Sequence, residues 1–62
     1  MTNLKFIPAD CYIEVVDTID NKCVAEIWLD DPTEVLFHKP YTFVIEELLE
    51  IVEYMKGIEN NY

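Results

Sequence analysis

An α+β fold, a small antiparallel sheet covered on one face by a single long C-terminal helix, follows from three features of this 62-residue sequence. Apolar residues between Thr42 and Gly57 recur at alternating spacings of four and three, the seam pattern of an amphipathic helix. Those from Cys11 to Leu29 alternate about a polar break, as in a β-hairpin. The length fits one domain, 1–62, so sheet and helix must bury their apolar stripes against each other.

Taken in order, residues 3–7 put Leu4 and Phe6 on one side and stop at Pro8, which suits an N-terminal edge strand or an ordered arm. Residues 11–19 read as a strand with Cys11, Ile13 and Val15 on one face, rich in the β-branched residues a pleated surface prefers. Ile19-Asp20-Asn21-Lys22 is a turn, because Asp and Asn bond to nearby backbone and tolerate left-handed geometry. Residues 22–29 return, with Cys23, Ala25, Ile27 and Leu29 inward. If odd-numbered residues point inward throughout, the loop must hold an odd number of residues. A loop of Ile19 to Asn21 would set Glu14 opposite Glu26, and opposed like charges are destabilising. A loop of Asp20 to Lys22, with Asn21 or Lys22 left-handed, sets Glu14 opposite Trp28 and is preferred. The outward face then carries Tyr12, Val16, Val24 and Trp28 among Glu14 and Glu26.

Residues 30–39 admit two readings. Asp31-Pro32-Thr33-Glu34 resembles a helix start, but a helix before Pro40 would have only about two turns. A third hairpin-order strand over 34–38 is preferred, giving a meander with the N-terminal segment as a further edge. The helix spans 42–57, with Thr42 as N-cap and Gly57 as its terminator. Val44, Leu48, Ile51, Met55 and Ile58 form its seam, and Ile45, Leu49 and Val52 a second apolar row. Glu46, Glu50 and Glu53 are placed opposite, with Glu47 on the flank. Two apolar rows exceed the ~100° stripe of a helix lying on one surface. Either the helix lies deep in a small core, or one row packs on the sheet and the other meets a second copy or a partner, and the sequence does not choose which row faces inward.

Thirteen acidic residues face four lysines and no arginine, a net charge of −9. Such a chain repels phosphate and anionic membrane and attracts basic proteins, which excludes direct nucleic-acid binding. No run approaches the ~20 apolar residues of a membrane span. No segment reads as an export signal, so a cytoplasmic protein with reduced cysteines is expected, host-cytoplasmic if phage-encoded. Cys11 and Cys23 lack metal or redox spacing. His38 is the one histidine, serine is absent, and a single glycine rules out a phosphate loop. Asp30-Asp31 and Glu46-Glu47 lack the alternating oxygens of a calcium loop. No catalytic residue, metal ligand or cofactor is expected.

Two functions fit. In the first, Glu46, Glu50 and Glu53 form a ridge with steps of about 6 and 4.5 Å, extended by Glu14, Glu26, Asp30 and Asp31. It imitates phosphates and blocks a basic nucleic-acid-binding effector, as small acidic phage proteins block restriction or CRISPR enzymes. In the second, Tyr12, Trp28, Ile45, Leu49 and Val52 carry a homodimeric adaptor or antitoxin-like partner of a basic protein, and the acids serve solubility.

Overall fold

The computed structural model describes residues 2–30 and 32–60, and for Asn60 the backbone alone. Strands β1 (Leu4–Pro8), β2 (Tyr12–Asp17), β3 (Lys22–Trp28) and β4 (Glu34–Phe37) form one antiparallel sheet in the order β1-β2-β3-β4, followed by helix α1 (Ile45–Asn60). This is the α+β meander expected, with the N-terminal segment as a paired edge strand. Residues 34–37 are extended; of the predicted helix start, Asp31 lies outside the described residues.

The core lies between the sheet and α1. Ile13 and Val15 of β2, Val24, Ala25 and Ile27 of β3 and Ile51 of α1 are all buried there. Leu4, Phe6, Val35, Tyr54, Met55 and Ile58 pack around them. Phe6 stacks flat on Tyr54, centroids 4.3 Å apart, tying the C-terminal half of α1 to β1. At the other end Phe43 meets Phe37 and Tyr41 edge-on at 4.9 and 4.7 Å. Residues 38–44, which include a cis Lys39–Pro40 bond, thereby close the gap between β4 and α1.

The hairpin register differs from the preferred one. Glu14 faces Glu26, Val15 faces Ala25, and the pairing then shifts so that Val16 faces Cys23 and Asp17 faces Lys22. Val24 is the extra residue, a β-bulge, and the loop is Thr18 to Asn21, with Asn21 left-handed at φ 55°. The bulge turns two consecutive residues, Val24 and Ala25, into the core, which strict alternation forbids. Magnitudes explain why this register wins. Burying a valine side chain is worth about 1.5–3 kcal/mol, whereas opposed like charges on a sheet cost roughly 0.2–1 kcal/mol. The Glu14–Glu26 repulsion is further relieved because Glu26 is drawn aside: its Oε1 accepts from Trp28 Nε1 at 3.0 Å, and its Oε2 lies 3.2 Å from His38 Nε2.

The helix starts two residues later than a cap at Thr42 would place it. Val44 occupies the N-cap position, its carbonyl accepting from Glu47 and Leu48 N–H, both at 3.1 Å. Valine has no side-chain acceptor, and the cap is supplied from the third helical position. Glu47 Oε1 accepts from Val44 N–H at 3.0 Å, the reciprocal half of a capping box. Gly57 does not end the helix either. It sits inside it, without a left-handed φ, and a Cβ added there meets no atom within 4 Å. Gly57→Ala is accordingly expected to stabilise the fold by about 0.5–1 kcal/mol. That corresponds to a rise in melting temperature of roughly 2–8 °C for a chain of this length, readable by circular dichroism; an unchanged or lower value would count against a helical Gly57.

Candidate binding surfaces

Three surfaces bring together the side chains with chemistry to offer. The first is the outer face of α1. Its inward side carries Glu47, Ile51, Tyr54, Met55 and Ile58, so the predicted seam holds at Ile51, Met55 and Ile58 and gives way to Glu47 at its N-terminal end. Glu47 is pulled to that side by its bonds to Val44 and Tyr41, and Val44 and Leu48 are left exposed at 58% and 38%. At 3.6 residues per turn, the opposite side belongs to Ile45, Leu49 and Val52. These are 74%, 57% and 44% exposed, so the second apolar row is uncovered. Glu46, Glu50 and Glu53 therefore run along one flank of that apolar row rather than opposite the core. Glu46 and Glu53 are exposed; Glu53 reaches Lys56 at 3.9 Å, a solvent-exposed pair worth little. Glu50 is half-buried, and its Oε1 is enclosed with no hydrogen-bond partner among the described residues.

The second surface is the sheet face turned away from α1. Tyr12 and Trp28, cross-strand partners, stack there at 5.0 Å, as a hydrophobic pair flanked by Glu14 and Glu26. The Glu14 carboxylate, then burial, then Glu26 push the Tyr12 hydroxyl pKa up. Cys23 also lies on this side, half-buried, its thiol donating to Ala25 O at 3.3 Å. Burial pushes that thiol up, which makes it a poor nucleophile. Cys23, Glu26 and His38 together bring one sulfur, one carboxylate oxygen and one imidazole nitrogen within 4.8 Å of one another. Cys11 is exposed. Val24, predicted on this face, is in the core because of the bulge.

The third surface is at the start of α1. Tyr41 O–H donates to Glu47 Oε2 at 2.6 Å. That bond, aided by burial, pushes the Tyr41 pKa up to about 12. Asp17 is buried beside the turn, its Oδ1 accepting from Ile19 N–H at 3.2 Å. Asp17, Asp20, Glu46 and Glu47 line a shallow depression here with Tyr41 and Thr42.

The predicted acidic residues do not converge on one ridge. Glu46, Glu50 and Glu53 lie on the helix side of the sheet, Glu14 and Glu26 on the other. Asp30 is exposed beyond the end of β3, and Asp31 lies outside the described residues. Sequence reasoning did not single out Glu47, Asp17 or the Cys23–Glu26–His38 cluster. The helix-start signature Glu47 provides was visible only as an acid in the first turn, and the cluster is hidden by the bulge, since strict alternation puts Cys23 and Glu26 on opposite faces. Among the described residues, no helix is long and apolar enough to cross a membrane. Comparison with protein-family models, with curated proteins and with solved structures returns no match.

Proposed function

We propose that this chain is a non-enzymatic acidic binding protein that docks on a basic nucleic-acid-binding surface of a target protein and occludes it, an inhibitor of the anti-restriction or anti-CRISPR kind. The observation that carries this reading is the outer face of α1, where the exposed apolar row Ile45, Leu49, Val52 is flanked by exposed Glu46 and Glu53. Anchors at i, i+4 and i+7 are the spacing by which a helix enters a groove. The acidic flank and the net charge of −9 select a groove with a basic rim, which is how phosphate-binding channels are built.

A homodimeric adaptor is the second reading, favoured by the same uncovered apolar row. Two copies facing each other would bring two chains of charge −9 together, which is why the basic partner is preferred.

Capture from host lysate with the tagged chain, followed by elution with duplex or single-stranded DNA, tests the proposal. The expected result is a nucleic-acid-binding protein released by DNA and by salt. Leu49→Ala is expected to weaken that complex by about 2 kcal/mol. Replacing Glu46 and Glu53 together by Gln is expected to weaken it and flatten its salt dependence. A partner that ignores both DNA and these two carboxylates would remove the occlusion reading. A stable dimer by light scattering, dissociated by Leu49→Ala, would favour the adaptor.

A further inference from the structure

We propose that Cys23, Glu26 and His38 form a three-ligand site for a zinc-class divalent ion on the sheet face remote from α1, with the fourth coordination position open to that face. The inference is independent of the occlusion reading and rests on the backbone first. Cys23 and Glu26 are three apart in β3, so a regular strand would point them to opposite sides. The extra residue Val24 resets the alternation, and both side chains emerge on the same face. His38 comes from just beyond β4 and is fixed there by its own backbone, whose N–H donates to the carbonyl of the bulged residue Val24 at 2.9 Å. One irregularity thus aims two ligands and anchors the third; bulges next to functional sites re-aim side chains in this way.

The distances suit the ion. Zinc holds nitrogen and oxygen at roughly 2.0–2.1 Å and sulfur at roughly 2.3 Å, so tetrahedral ligand atoms stand about 3.3–3.6 Å apart. His38 Nε2 and Glu26 Oε2 are already 3.2 Å apart, and the three ligand atoms all lie within 4.8 Å of one another. To ligate, Cys23 Sγ leaves its bond to Ala25 O. Thiolate, imidazole and carboxylate together are a donor set for zinc rather than for calcium or magnesium, which take oxygen. Glu26 is also held from behind: its Oε1 accepts from Trp28 Nε1 at 3.0 Å, leaving Oε2 to point at the site. Such an outer contact orients a ligating carboxylate. On binding, the Cys23 thiol proton leaves to solvent, and the ion sits between His38 Nε2 and Glu26 Oε2 in place of the contact they now make. The ion then fastens the short edge strand β4 to β3, in a chain whose small core leaves it in need of such a staple.

Two measurements on the full-length chain, kept reduced, test this. With Co²⁺ as probe, one equivalent is expected to give a near-ultraviolet thiolate-to-cobalt charge-transfer band, displaced by Zn²⁺. Cys23→Ser is expected to abolish the band, and His38→Gln to weaken binding by roughly 100-fold, at the upper end of what losing even an outer-shell partner costs. The second measurement needs no variant. Zn²⁺ is expected to slow alkylation of Cys23 at least about tenfold, for a site half-filled well below the zinc used, while Cys11 reacts at its original rate. Cobalt bound without the charge-transfer band, or both cysteines alkylated at unchanged rates with zinc present, would overturn the site and leave only diffuse attraction to surface carboxylates.

Discussion

Ile27→Ala is expected to lower the free energy of unfolding by about 3–4 kcal/mol. Ile27 is fully buried at the centre of the sheet, with Ile13 across β2 on one side and Val35 across β4 on the other. Backbone bonds on both sides hold its strand in place, so the cavity left by the lost side chain cannot close by local collapse. A domain of this length has roughly 3–9 kcal/mol in total, and the substitution therefore removes a third of the stability at least. Urea denaturation measures it. Ile19→Ala is the control: the same side chain, 73% exposed in the hairpin loop, should change stability by less than about 0.5 kcal/mol. Equal effects at the two positions would mean that the core is not between β2, β3 and α1.

The second large effect belongs to Glu47. Its carboxylate accepts from Val44 N–H through Oε1 and from Tyr41 O–H through Oε2, and the residue is buried. Glu47→Ala removes the cap and strands a half-buried phenol at once. A cap contributes about 1 kcal/mol and a hydrogen bond to a charged group about 1.5–3 kcal/mol; because the two share one side chain, about 2–3 kcal/mol together is expected. The same contact predicts an alkaline transition. Tyr41 has an ordinary pKa of 10.0, raised to about 12 in the fold by its bond to Glu47. The folded state therefore holds a proton that the unfolded chain releases above pH ~10, so stability falls with rising pH in this window. The contribution is complete below pH ~10 and gone once pH has passed through ~12. Melting temperatures across that range should drop less steeply in Tyr41→Phe than in the parent chain, Tyr12 supplying a part of the fall that both share. Parallel curves would mean that the Tyr41–Glu47 bond contributes nothing.

Most of the fold was legible because its signals are local. The alternation in 12–17 and 22–28, the turn chemistry at Asp20-Asn21 and the helical spacing after Val44 each act within a few residues. What escaped was set by contacts distant in sequence or by a break in a period. The register failed because parity was carried through β3 unbroken, and nothing in Cys23-Val24-Ala25 announces a bulge; it is stabilised by what Val24 meets in the core. The helix start failed because Thr42 is the better cap in isolation, whereas Glu47 and Tyr41 together fix Val44 instead. The width of the apolar arc allowed for one uncovered row without choosing it; packing against the sheet leaves Ile45, Leu49 and Val52 exposed. The single acidic ridge was not realised, since no sequence period links a helix flank to the far side of a sheet.

The bulge also marks where this chain tolerates a change in length. β3 carries one residue more than its partner needs, so deleting Val24 would still leave Val15 across from Ala25 and Val16 across from Cys23. One valine's worth of core would be lost, together with the carbonyl that accepts from His38 N–H. A deletion at Ile27, three residues on, would turn Glu26 into the core and Ala25 out of it before the bulge absorbed the shift. Gains and losses of single residues among descendants of this sequence should therefore gather at Val24 and be purged from the rest of the hairpin.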